Sequence, residues 1–256
     1  QPDASGRYRV ALGETQQQTG LVGRNGRLLS TPVWGYGDAR GPTWPGRTFQ
    51  VKSVSAGGSP ETSVLWENGL GRKHLLPVDT SLHWAYSLPG YEGHSIQKTG
   101  VPIITHLHGG HVPARVDGQP EYHILPGESD IYEYPNNQDA GTVWFHDHAL
   151  GITRLNVYSG MAGFYLIADE EDTLGPDNAF GFPSGQYEIG MAIQDRQFNP
   201  DGSLFYKAQL EDAFKGDKLL VNGKVWPYLM VDKGKYRFRI LNGSQSRDYS
   251  LRLENI

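Results

Sequence analysis

The sequence predicts an all-β fold, on three observations. Thirty-three glycines and sixteen prolines divide the 256 residues into short runs. Within those runs apolar and polar residues alternate with the two-residue period of a strand. The longest uninterrupted apolar stretch, Met161 to Ala168, has eight residues, where a membrane-crossing helix needs about 20. No transmembrane helix is expected.

The elements follow in chain order. Thr48 to Val54 (TFQVKSV) alternates and is rich in the β-branched and aromatic residues that suit a pleated surface. Thr142 to His146 (TVWFH) is read as a strand on the same grounds, Phe164 to Ala168 (FYLIA) as a more fully apolar one, and the stretch around His106 and His108 as strand too. In Lys235 to Leu241 (KYRFRIL), Tyr236, Phe238 and Ile240 share one side and Arg237 and Arg239 the other, the pattern of a half-buried strand.

A weak internal echo joins VWGYGDARGPTWPGRTFQV, residues 33–51, to VNGKVWPYLMVDKGKYRFRI, residues 221–240. Each has a strand-like run, a glycine turn, a Trp-Pro element and an alternating strand. Two similar β-domains would explain this: a first over residues 1–170, a polar Gly/Pro-rich linker over 171–185, and a second from 186 to 256. The second stretch is shorter than the ~100 residues of a complete β-sandwich, so that domain is expected to be partial.

Composition excludes several classes. The formal charge of −5 is spread over both signs, with no basic stripe to follow a phosphate backbone, and nucleic acid is not an expected partner. Cysteine is absent, which removes disulfides, thiolate metal ligands and cysteine nucleophiles. The first residues, QPDASGRY, lack the charged and apolar regions of a signal peptide, so either none existed or it has been removed.

Four of the nine histidines fall in two His-x-His pairs, THLHGG at 105–110 and FHDHAL at 145–150. On a strand, alternate side chains point the same way, so His106 and His108 form one imidazole fork and His146 and His148 a second. Imidazole suits copper, zinc, iron and nickel. Four imidazoles without thiolates can hold copper, and a three-ligand zinc site is open on ligand type alone. The competing structural reading makes each pair a polar strand face bonded to backbone or water. Of the other histidines, His111 is expected to support the site from outside or to lie on the surface, and His74, His83, His94 and His123 to be loop or surface residues. Trp144 shares the face of His146, which leaves two places open for it, beside the site or in the core, and the core is the one expected.

The stretches THLHGGHVPARVDGQPE, YEYPNNQDAGTVWFHDHALGITRLNVYSGMAGFYLIAD, DGSLFY and LVNGKVWPYLMVDKGKYRFRILNGS strongly resemble the multicopper oxidases, in the branch of spore-coat laccase, bilirubin oxidase and phenoxazinone synthase. The resemblance implies cupredoxin-like Greek-key β-barrels and a cluster of one type 2 and two type 3 coppers between the first and last of three domains, where dioxygen is reduced to water. By that resemblance His106 would bind the type 2 copper, and His108, His146 and His148 the type 3 pair. Asp117 matches an acidic position linked to proton supply, although an aspartate shaping the turn in VDGQP is the alternative. The family's type 1 copper needs a His-Cys-His segment, and two further His-x-His pairs complete the cluster. The expected partner is therefore a C-terminal remainder carrying them, together with dioxygen and a small organic reductant. An extracytoplasmic location is expected. The alternative is a non-catalytic cupredoxin-like structural or copper-binding module.

Overall fold

The computed structural model describes residues 2–57, 61–82, 86, 89–207 and 213–254. Its first part is a sandwich of two sheets. One holds β1 (Tyr8–Gln17), β2 (Thr31–Asp38), β3 (Gly41–Thr43), β5 (Thr62–Asn68) and β7 (Ser129–Tyr134), in the order β3-β2-β1-β5-β7. The other holds β4 (Gly46–Lys52), β6 (Thr105–His108), β8 (Gly141–Asp147) and β9 (Ala162–Ala168), in the order β4-β9-β8-β6. The expected strands at 48–54, 142–146 and 164–168 correspond to β4, β8 and β9, and the strand expected around His106 and His108 is β6.

The inward faces of both sheets meet in one core that includes Trp34, Tyr36, Trp66, Tyr134, Phe145 and Tyr165. Burying each large apolar side chain contributes roughly 1.5–3 kcal/mol. Phe145 sits at the centre of this aromatic packing, 5.0 Å from the ring of Tyr36, 5.5 Å from Phe49 and 5.6 Å from Trp66. Gly163 on β9 gives it room, since a Cβ there would lie 2.3 Å from Phe145 Cζ. The residue directly before His146 is thus clamped in the core, and β8 is held rigidly under the histidines.

The second part is built on β10 (Glu188–Phe198), with β11 (Leu204–Phe205), β12 (Lys218–Val221) and β13 (Lys224–Val225) in the order β11-β10-β12-β13, and β14 (Arg237–Asn242) on the other side of β10. The path β13-β12-β10-β14 repeats β3-β2-β1-β5: two antiparallel pairings and then a parallel one. The two parts share apolar contacts. Val33 and Trp44 pack in one cluster with Leu204, Tyr206 and Leu220, and Phe164 and Leu166 of β9 pack with Ala192 of β10.

The alternation expected over 235–241 holds, with the arginines turned inward. Arg239 is buried, donates from Nε to Glu188 Oε1 at 2.8 Å and from Nη1 to Thr142 Oγ1 at 2.6 Å. Arg237 donates to Asp172 Oδ2 at 2.6 Å. These partners satisfy the guanidinium groups on the inner side, while Phe238 and Ile240 remain exposed. The segment 171–185 forms no strand or α-helix, and Asp172 ties it to β14. Among the described residues no helix is long and apolar enough to cross a membrane.

Candidate metal centre

β6 and β8 run antiparallel with His106 directly opposite His146 and His108 opposite Trp144. The ladder continues past β8, where the His148 N–H donates to the Ile104 carbonyl at 2.8 Å. Both forks therefore project from the same face of neighbouring strands. The ring of His106 lies 5.5 Å from that of His108, 5.4 Å from His146 and 5.0 Å from His148. His108 and His146 are 5.4 Å apart, His146 and His148 5.8 Å. One nitrogen from each of His106, His108 and His146 falls within 4.8 Å of the other two.

Hydrogen bonds orient the rings. His146 Nδ1 donates to the Asp147 carbonyl at 2.7 Å, and His106 Nδ1 donates to the Asp117 carbonyl, which makes each Nε2 an acceptor. His108 Nδ1 comes within 3.2 Å of His146 Nε2, and His148 Nδ1 is buried without a hydrogen-bond partner. Burial, with the neighbouring His106, His108 and His148, brings the pKa of His146 down to about 3 against the pull of its hydrogen bond to the Asp147 carbonyl. Burial and the charges of His106 and His148 also lower His108. Neutral imidazoles are what a metal ion requires of its ligands. The converging lone pairs, the unpartnered His148 nitrogen and the absence of thiolate fit a first-row transition metal such as copper.

A supporting set of side chains surrounds the forks. Asp147, between the two histidines of the second fork, points to the opposite face and is fully buried. It accepts from Ile104 N at 2.9 Å, Ala149 N at 3.1 Å and Asn156 Nδ2 at 2.9 Å. Burial raises its pKa to about 7 against the pull of those three bonds. Asp117 places Oδ1 3.3 Å from His106 Nδ1. Behind it Gly118 has φ +78°, and a Cβ there would lie 2.7 Å from both His106 Cα and Thr105 O. Gly118→Ala should cost roughly 1–3 kcal/mol from positive-φ strain and overpacking, seen as a lower thermal midpoint. An unchanged midpoint would show that this close approach does not constrain the loop.

The structure brings His106, His108, His146, His148 and Asp117 together and places the other expected residues differently in part. His111 is exposed. His94 is half-buried beside Tyr91, and His83 lies outside the described residues. The surface reading of His74 and His123 is corrected, because both are buried. His123 packs on Tyr91 at 4.1 Å. His74 packs edge-on against Trp34 at 4.4 Å, with its loop folded over the core edge. The core reading of Trp144 is corrected too: it is half-buried and stacks on His146 at 4.2 Å and on His108 at 5.1 Å. Sequence reasoning missed Asp147 and Asn156. Strand alternation held the signal for Asp147, since a residue between two same-facing histidines must face the core.

Burial pulls the pKa of His74 down from 6.5 to about 4, against hydrogen bonds with Asn156 and Leu76. The folded state resists a proton that the unfolded chain accepts, so this contribution is complete above pH ~6.5 and is lost as pH falls toward ~4. The full loss corresponds to roughly 3 kcal/mol. His74→Gln should flatten the decline in the urea midpoint over that window relative to the parent protein. Parallel declines in the two proteins would refute it.

A β-sandwich with two imidazole forks side by side suits a protein that holds a first-row transition metal, and comparison with known proteins points to copper. The multicopper oxidase family model matches residues 97–172, the stretch that holds both forks. A laccase of Bacillus stratosphericus is 41% identical over 251 residues, covering 89% of this chain and 44% of the relative. A laccase of Haloferax volcanii is 38% identical over 264 residues, covering 100% of this chain and 42% of the relative. The crystal structure of the McoA multicopper oxidase from Aquifex aeolicus matches with a TM-score of 0.70 and 27% identity, over 93% of this chain and 43% of that one. The chain belongs to the multicopper oxidase family. It spans less than half the length of these relatives.

Proposed function

We propose that this chain is the N-terminal part of a laccase-like multicopper oxidase, which couples one-electron oxidation of phenolic, aminophenolic or tetrapyrrole-type compounds to four-electron reduction of dioxygen to water. The observation that carries the reading is the pairing of the two forks on adjacent strands, His106 opposite His146. His106 would hold the type 2 copper, and His108, His146 and His148 the type 3 pair. When bound, copper supplies the one-electron steps that carry a reductant's electrons to dioxygen. The chain's own residues fix the ligand nitrogens, favour the neutral rings of His108 and His146 by burying them, and supply protons. Water formation consumes protons, and their delivery is assigned to the Asp117 carboxylate, a reading supported by its position beside His106.

The remaining ligands and the type 1 copper are assigned to a C-terminal remainder carrying His-Cys-His. Its need is supported by the absence of cysteine and by the exposed apolar residues Trp226, Tyr228, Met230, Phe238 and Ile240, a contiguous sequence region of the kind that partners cover. The repeated sheet path supports a first domain over 1–170, a linker over 171–185 and a second domain starting at 186. An extracytoplasmic location completes the reading.

The test is peptide mapping by mass spectrometry of the purified protein, with metal analysis and dioxygen uptake on the same sample. Three coppers at the cluster, one blue copper, a His-Cys-His peptide and reductant-dependent dioxygen uptake are expected. A protein that takes up no copper would overturn the reading and leave a structural module.

A further inference from the structure

Behind the forks runs a buried chain of hydrogen bonds that begins at a histidine outside the ligand set. His74 Nδ1 accepts from the Leu76 N–H at 2.9 Å, so the proton of its neutral ring sits on Nε2. That nitrogen faces Asn156 Oδ1 at 3.1 Å, and the donation fixes which way the Asn156 amide points. Its Nδ2 then donates to Asp147 Oδ2 at 2.9 Å and to the Pro102 carbonyl at 3.2 Å. Asp147 in turn accepts from the N–H of Ile104, two residues before the first fork, and of Ala149, directly after the second. His74, Asn156 and Asp147 are all buried, where each unmade bond would be costly.

We infer that His74, Asn156 and Asp147 form a positioning relay that sets the placement of one His-x-His fork relative to the other. The two forks sit on different strands, and the ladder alone fixes their register but not the pitch of the strand ends that carry His106 and His148. One carboxylate bonded to a backbone amide beside each fork couples those ends. Asn156 holds the carboxylate, and His74, braced on Trp34, holds Asn156. The inference rests on the reading of the forks as copper ligands.

It is tested by copper affinity, measured by chelator competition on the purified protein, alongside the unfolding midpoint of its metal-free form. His74→Phe removes the donor to Asn156, Asn156→Ser shortens the link, and His74→Gln keeps a donor at that place. Loss of support behind metal ligands typically weakens affinity 10–100-fold. A weakening in that range is expected for His74→Phe and Asn156→Ser, with recovery to within about threefold of the parent in His74→Gln. Ile193→Ala, a buried position on β10 that shares no apolar cluster with the relay, should lower the midpoint without moving copper affinity. Parent-like affinity in a folded His74→Phe or Asn156→Ser protein would overturn the relay; if His74→Phe fails to fold, Asn156→Ser decides. If the parent itself loses no copper when His106 and His146 are replaced, the ligand reading has failed, and the relay with it.

Discussion

With both His106 and His146 replaced by alanine, dioxygen consumption by the assembled protein falls by more than about a hundredfold while the metal-free fold persists. A hundredfold is the upper end of the loss seen when a group merely supporting a metal ligand is removed, and these substitutions remove ligands from both forks. The fold should survive because each ring makes one hydrogen bond to a backbone carbonyl, worth about 1 kcal/mol. Phe145 and Leu107, which anchor the two strands in the core, are untouched. Steady-state oxygen uptake and the metal-free thermal midpoint check both halves of the prediction. Turnover within tenfold of the parent would sink the ligand assignment.

Asp147→Ala should destabilise the metal-free protein by about 3 kcal/mol, since it strands three buried donors, each costing roughly 1–3 kcal/mol when unpaired. The lower end is expected because, among the described residues, no basic side chain compensates the buried carboxylate, whose pKa burial lifts to about 7, and its removal relieves that cost. Urea unfolding gives the answer directly. A loss below about 1 kcal/mol would mean that the donors of Ile104, Ala149 and Asn156 find other partners, and that Asp147 does not tie the strand ends.

Local pattern revealed the forks because a two-residue period assigns faces without reference to any other strand. It could not show that His106 stands opposite His146, since register is a property of two strands that are about forty residues apart in the chain. For the same reason the inward turn of Arg239 was hidden: Glu188 and Asp172, which satisfy it, lie 51 and 67 positions away. His74 was misread because polar, proline-containing surroundings look like surface until the loop is seen lying on Trp34. Trp144 was misplaced because alternation gives the face of a strand but not what covers that face.

β9 is buried along its whole length. Its Tyr165 and Ile167 belong to the sandwich core, and Phe164 and Leu166 belong to the cluster with β10. A strand can satisfy both sides only while both neighbours are folded, so the boundary drawn near residue 170 separates stretches of sequence, not independent thermodynamic units. Melting either part would strip one face of β9 and withdraw support from the other. His146 on β8, paired with Ala162 of β9, thereby draws its rigidity from residues well beyond the sandwich that carries it.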